Sequence, residues 1–296
     1  MVEKTSFKRV IFNILNYGFM VLLCLACIAP LWHVLMASIS NPRDLMSATG
    51  LLFKPLGDIT FKGYQLVFKN PNIIRGYINT LIYVTATTFL GTLLTVIAGF
   101  ALSRENLKLK TPLTLLILFT MVFGGGLIPT YMVIKALGMI NTSAAIIIPG
   151  VINAFYIFMM KSSFEQLPAS YEESAKLDGA GPLTIMIKIL LPLIKSTIAV
   201  IVMFNIVMQW NSWFPASIYL TRRRDLWPLQ LFMREILVQN DTGQILSGSD
   251  AVNKADYTAN LVKYCVTVVG TLPILCIYPF AQKYFVKGVT IGGVKG

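Results

Sequence analysis

Six long apolar stretches decide what this chain can become. They run over roughly residues 11–36, 77–102, 112–134, 143–161, 193–218 and 262–285. A helix needs about 20 predominantly apolar residues to cross the hydrocarbon core of a bilayer, so each stretch is long enough to span. The expected fold is therefore all-α and polytopic, with six transmembrane helices. The fourth stretch carries Pro149-Gly150 in its middle. A break there is tolerable if neighbouring helices or a cavity satisfy the freed backbone groups.

Composition points the same way. Of 296 residues, 55% are hydrophobic and only 13% charged, whereas soluble domains are about one-quarter charged. The formal net charge of +12 does not mark a nucleic-acid binder. The basic residues sit in short groups between apolar runs, which is how membrane proteins place them. Cys24, Cys27, Cys265 and Cys276 all fall inside apolar runs. The Cys24-x-x-Cys27 pair therefore reads as small hydrophobes, not as a redox or metal pair. The single histidine, His33, reads as an interfacial residue. Lys4, Lys8 and Arg9 precede a first run that exceeds the apolar core of a cleaved signal, about 7–15 residues. That run is expected to remain as the first helix.

An even number of spans puts both termini on one side of the membrane. Lys and Arg divide almost evenly between the two sides. Their density differs: Arg104, Lys108 and Lys110 crowd one tight loop, whereas loops 37–76 and 219–261 are long. This favours cytoplasmic N- and C-termini. The long loops carry turn signals at Asn41-Pro42, Lys54-Pro55, Asn70-Pro71 and Trp227-Pro228, and a Gly/Ser/Asp-rich passage, GQILSGSD. Neither reads as a separate domain, so residues 1–296 read as one transmembrane domain.

Between the fourth and fifth spans lies a charged, glycine-broken segment, 165–192, too polar to cross a bilayer. Ser170 with Glu173 three residues on matches a capping box, so a short helix should begin at Ser170. It should stop near Gly179, because glycine suits the left-handed position after a helix. Gly181-Pro182 then opens a second helix, with Pro182 in its first turn, ending before Leu191-Pro192. Ser174, Ala175, Gly179 and Ala180 leave room for close approach by another surface. Glu172 and Glu173 offer charge-assisted contacts to a basic partner. An ordinary solvated loop would carry the same features.

The spacing Glu173-Ser174-Ala175, three residues, Gly179, nine residues, Ile189-x-Leu191-Pro192 resembles the EAA motif of ABC importer permeases, with Ser174 in place of the first alanine. The tail QKYFVKGVTIGGVKG is similar to the end of maltose-type carbohydrate permeases of the binding-protein-dependent, MetI-like superfamily. FGGGLIPTYMVIKALGMINT and NSWFPASIYL resemble the oligosaccharide branch. The resemblance implies a type I ABC importer permease, with a cytoplasmic coupling helix, in a bacterial plasma membrane. It implies as partners a second permease subunit, two cytoplasmic ATPase subunits and an extracellular or periplasmic solute-binding protein, with an oligosaccharide as substrate. It also implies that Glu172, Glu173, Ser174, Ala175, Asp178 and Gly179 meet an ATPase. Glu173 would pair with a basic residue of the ATPase cleft, Ala175 and Gly179 would allow close seating, and Asp178 would fix the turn. The tail near Gly292-Gly293 would reach towards the ATPases.

No G-x-x-x-x-G-K-[ST] phosphate loop, metal cluster or nucleophile–base set appears in the sequence. The chain is therefore expected to have no catalytic residues and no cofactor of its own, ATP and Mg being used by the partner ATPases. A solute pathway should lie where polar groups enter the bilayer, since they are costly there. Asn205 and Gln209 lie one helical turn apart, Trp210 and Trp213 follow, and Asn153 and Tyr156 flank the Pro149-Gly150 break. Amides beside flat aromatic rings suit a sugar. Trp210 and Trp213 also fit aromatic-belt anchors, and Asn205 and Gln209 also fit interhelical hydrogen bonding. Arg222, Arg223 and Arg224 fit an acidic face on the binding protein, an acidic sugar, or a plain solvated loop. An ion-coupled secondary transporter is the competing class, and it would need a titratable group deep in the membrane. The six stretches hold no Asp or Glu. An ABC permease for a non-sugar solute would share the EAA motif.

Overall fold

The computed structural model describes the backbone of residues 7–238 and 252–292 and the side chains of 7–238, 258–279 and 282. The Gly/Ser/Asp-rich passage at 243–250 and the tail beyond Gly292 lie outside the described residues. In chain order the helices are α1 (Phe7–Ser38), α2 (Pro42–Ser47), α3 (Lys62–Lys69), α4 (Pro71–Ser103), α5 (Lys110–Val122), α6 (Leu127–Ala136), α7 (Ala144–Ile147), α8 (Ala154–Glu165), α9 (Ser170–Leu177), α10 (Pro182–Thr184), α11 (Leu191–Leu193), α12 (Lys195–Trp210), α13 (Phe214–Tyr219), α14 (Leu229–Val238) and α15 (Val252–Gly292). Short 3-10 turns occupy Ile148–Gly150 and Arg224–Leu226, and a π turn occupies Ile185–Leu190. The described residues contain no strand.

Among the described residues, four helical segments are long and apolar enough to cross a membrane: α1, α4, Ala144–Glu165 and Thr258–Pro279. Two more spans exist if each bent pair counts as one. The stretch read as a single span over 112–134 is α5 and α6, bent by 118°. The bend falls in the glycine run, where Gly126 adopts φ +81° with ψ 174°, a backbone conformation essentially confined to glycine. The second helix of the charged segment does not end before Leu191-Pro192, and the helix in the stretch read as the fifth span, 193–218, is α12 from Lys195. The helical segment Pro182–Leu193 runs through Pro192 and meets α12 at 84°. The π turn ends just ahead of Pro192, where a missing N–H already disturbs the ladder.

The chain divides into two compact units. The first comprises Met1–Pro71 and Glu235–Thr271. Within it α1 is exposed along most of its length and buries only Met36, Ala37 and Ser38 in its last turn. Gly63 of α3 lies so close to Cys265 that a Cβ would fall 2.5 Å from its sulfur. His33 is more than interfacial: its Nδ1 accepts the Leu52 N–H at 3.1 Å, pinning the loop that follows α2.

The second unit comprises Asn72–Arg234 and Leu272–Gly296. Its organising helix is α4, whose buried face reads Gly76, Thr80, Tyr83, Thr87, Gly91, Thr95 and Gly99. These positions recur every three to four residues, so one side of the helix is lined with small groups. Backbones and side chains fill the missing volume: Leu229 and Phe232 at Gly76, the Val151 carbonyl at Gly91, and Met160 at Gly99. Small residues at such contacts let membrane helices approach closely. One apolar core joins α4, α8, α9, the π turn and α12 through Val96, Met160, Phe164, Ala175, Ile185 and Ile201. A second gathers Tyr83, Ile134, Ile146, Tyr219, Leu220 and Leu231.

Candidate functional site

The charged segment folds as a helical elbow, with one local difference from expectation. Helix α9 spans Ser170–Leu177, but its cap position is Ala169, and the Ser170 side chain makes no capping hydrogen bond. Pro168 and Ala169 supply the first accepting carbonyls instead, to Tyr171 at 3.3 Å and to Glu172 and Glu173 at 3.0 Å. The C-terminal end follows expectation. Gly179 sits at φ +79°. Its N–H donates to Lys176 O at 3.0 Å, and the Ala180 N–H reaches Ala175 O at 2.9 Å. This is a Schellman closure, which satisfies the last carbonyls of the helix.

The elbow sorts its residues into two faces. Ala175 is 5% exposed and packs in the core with Phe164, Ile185 and Leu190. Glu173, Ser174, Asp178 and Gly179 face outward. So does Leu177, at 89% exposure, a large apolar side chain held in the open. Nothing lies within 4 Å of where a Cβ on Gly179 would stand, so the chain itself does not fill that space.

The adjacent acids have different jobs. Glu172 forms an ion pair with Arg104, which follows directly on α4, and a second with Lys176 at 2.9 Å. The Arg104 guanidinium lies 4.7 Å from the centre of the Phe100 ring. Burial lowers its pKa from the ordinary value, and the nearby Glu165 carboxylate acts the other way. Glu165 in turn binds Lys161 at 2.9 Å and Lys110 at 3.4 Å. Charges from α4, α5, α8 and α9 thus converge around a polar cavity of about 480 Å³ lined by Arg104, Lys110, Glu165, Glu172, Glu173 and Lys176. Sequence reasoning placed Glu172 against an outside partner and read Arg104 only as a topology signal. The two are 68 positions apart, and no local pattern connects them.

The polar pathway candidates separate similarly. Asn205 is 6% exposed. Its Nδ2 is buried and has no hydrogen-bond partner among the described residues. It lies beside Gly91, where a Cβ would stand 3.8 Å from that nitrogen. The Thr87 and Thr88 hydroxyls nearby are also buried without a partner. The Gln209 Oε1 lies 3.5 Å from the Cβ position of Gly150, so the broken fourth span, α4 and α12 meet at these amides. An apolar groove of about 570 Å³ runs beside them, between α4 and α12. Asn153 is engaged elsewhere, its Oδ1 capping α8 by accepting the Phe155 N–H at 2.9 Å. Tyr156 is buried and stacks on Phe204 at 6.2 Å. Trp210 is 2% exposed and meets Tyr77 edge-on at 5.8 Å, so it is neither a belt anchor nor an open sugar platform.

Beyond α12 the arginines scatter. Arg223 binds Asp225 at 2.9 Å, and its hydrogen bond holds the exposed Asp225 carboxyl below the usual range. Arg224 lies over Trp227 at 4.8 Å and over Phe232 at 5.8 Å. Arg222 points outward, and its N–H donates to the Asn141 Oδ1 at 2.9 Å. Sequence reasoning missed Arg234, whose guanidinium lies 3.9 Å from the Trp213 ring centre.

Apolar helices long enough to span, a broken span beside the buried amide of Asn205 and an outward-facing elbow define a polytopic helical membrane permease. Residues 72–291 match the family described as binding-protein-dependent transport system inner membrane component, and the chain belongs to that family. It is similar to the polygalacturonan/rhamnogalacturonan transport system permease protein YtcP of Bacillus subtilis, 35% identical with 98% of this chain and 100% of that one covered. Protein LplC of the same organism is 33% identical, with coverages of 97% and 95%. The crystal structure of a bacterial ABC transporter involved in the import of the acidic polysaccharide alginate matches with a TM-score of 0.87 at 29% identity, covering 95% of this chain and 99% of that one.

Proposed function

We propose that this permease is the pore subunit of an ATP-driven importer that moves a carbohydrate, an oligosaccharide in particular, into a bacterial cell by alternating access. The names of the relatives above, for polygalacturonan, rhamnogalacturonan and alginate, support the carbohydrate reading. In this reading a solute-binding protein delivers the sugar from outside. A second permease completes the pathway, and two cytoplasmic ATPases hydrolyse ATP with Mg as their cofactor. Both termini face the cytoplasm.

One observation carries the coupling role. The elbow seats Ala175 in the permease core while presenting Glu173, Ser174, Leu177 and Gly179 outward. Such a lever can be pushed from outside and must move the helices it is packed against. Glu173 would pair with a cation of an ATPase, and Leu177 would fill an apolar cleft. Asn205 and Gln209 would bind sugar hydroxyls, which supply the partners that the buried amide lacks. An unmet buried polar group costs about 1–3 kcal/mol, so a visiting hydroxyl has something to gain there. The test is affinity capture in mild detergent from cells making the whole system. The parent chain should bring down an ATPase, a second permease and the binding protein. A Glu173→Lys, Gly179→Asp variant should lose the ATPase alone. Retention of the ATPase by that variant would remove the coupling assignment.

A further inference from the structure

We infer that Arg234, mounted on Trp213, is a recognition site for a sugar carboxylate, so that the carbohydrate is an acidic one. Three observations converge. The Arg234 guanidinium lies over the Trp213 indole at 3.9 Å. Arg234 is only partly buried and forms no ion pair among the described residues. Its neighbours differ: the exposed Arg223 pairs with Asp225, and the half-buried Arg224 lies over two aromatic rings.

Position adds the third observation. Asn205 and Gln209 lie one turn apart on α12, and Trp213 follows three residues past the helix end, in the short connection to α13. The arginine on Trp213 therefore belongs to the same end of α12 as Gln209. Helix α12 has 16 residues, so this end stands about 24 Å from the elbow end at 1.5 Å per residue. The ring contact holds the guanidinium in place, and a planar guanidinium fork matches a carboxylate with two parallel hydrogen bonds. A neutral sugar would leave the cation without a counter-charge. The Trp213 face is already covered by Arg234, so this tryptophan orients the cation instead of stacking on a sugar ring.

This inference rests on the carbohydrate reading, and the experiment separates the two. The complete transporter, with its binding protein, is reconstituted in nanodiscs. ATP hydrolysis is then followed while trigalacturonate, its fully methyl-esterified form or a neutral arabinotriose is titrated. The parent should respond to trigalacturonate. Arg234→Gln should raise the half-saturating concentration of the acid by about tenfold or more, the loss of one charge-assisted pair, and should leave any response to the neutral probes within about twofold. Arg234→Lys, which keeps the charge but not the planar fork, should fall between. Equal losses on acidic and neutral probes would make Arg234 a structural clamp and overturn the inference. So would a parent that responds only to neutral sugars, although the carbohydrate reading would then stand. A parent deaf to all three, but active with some other solute, would sink both.

Discussion

Asn205 and Gly91 put an unmet amide and a tight backbone contact at one spot between α4 and α12. The Asn205 amide is buried, polar and unsatisfied, a state that membrane interiors penalise. Replacing it with leucine should leave the melting temperature of the purified transporter unchanged or raised, because the unmet amide disappears. Sugar uptake should nevertheless fall by more than about tenfold, the cost of losing one to two hydrogen bonds. Normal uptake by Asn205→Leu would show that the amide serves no solute. Gly91 tests the packing itself. A Cβ there would lie 2.7 Å from the Val151 carbonyl oxygen, a backbone atom that cannot swing aside. Gly91→Ala should therefore cost about 1–3 kcal/mol, as overpacked sites do, read as a lowered melting temperature in detergent. A melt identical to the parent would mean that the break at 148–153 yields freely.

The elbow is a joint with two attachments, and each can be cut separately. Inside, Glu172 ties α9 to the end of α4 through Arg104, itself braced on Phe100. Arg104→Glu and Glu172→Arg should each leave the ATPases bound yet lower the sugar moved per ATP hydrolysed by about three- to tenfold, in line with the loss of a charge-assisted bond. The double variant should restore most of it. Failure of the swap to rescue either single variant, with the complex intact, would reduce the pair to an incidental surface contact. Outside, Gly179 has a left-handed backbone and an empty flank. Asparagine tolerates that backbone conformation better than alanine. If strain were all that mattered, Gly179→Asn would be milder than Gly179→Ala. The elbow reading predicts the reverse for ATPase capture, because the larger side chain fills the space a partner needs.

The same elements show what a sequence can and cannot disclose. Gly179 was legible because its chemistry is local: an αL turn wants glycine wherever it occurs. The roles of Glu172 and Glu173 were not, because successive helical residues point about 100° apart and only the packing of Ala175 decides which acid turns inward. The 84° turn at Ile194 was only half signalled: Pro192 disturbs the ladder, but an isoleucine between leucine and lysine can continue a helix. Ile194 is buried in one cluster with Leu190 and Ile201. Trp210 read as a sugar contact or a belt anchor, but it is buried and meets Tyr77, far away in sequence, edge-on. The small-residue stripe of α4 was readable in principle as glycines and threonines at helical spacing.

Taken as a whole, the chain joins a family of transport components to a buried, unmet amide at Asn205 and an elbow that turns Glu173, Ser174, Leu177 and Gly179 outward. Hydropathy alone revealed the set of apolar runs, because the bilayer imposes a length that composition must meet. It did not reveal which runs bend, since a bent pair and a straight span have the same apolarity. The energy for transport must come from outside the chain if the elbow is a lever, and from an ion gradient if it is not. Uptake of radiolabelled oligogalacturonate into proteoliposomes decides between these. The complete complex should accumulate sugar only when ATP and Mg are supplied to the ATPase side. The permease pair without its ATPases should accumulate none, under proton or sodium gradients of either direction. Gradient-driven accumulation by the permeases alone would contradict the coupling mechanism at its root.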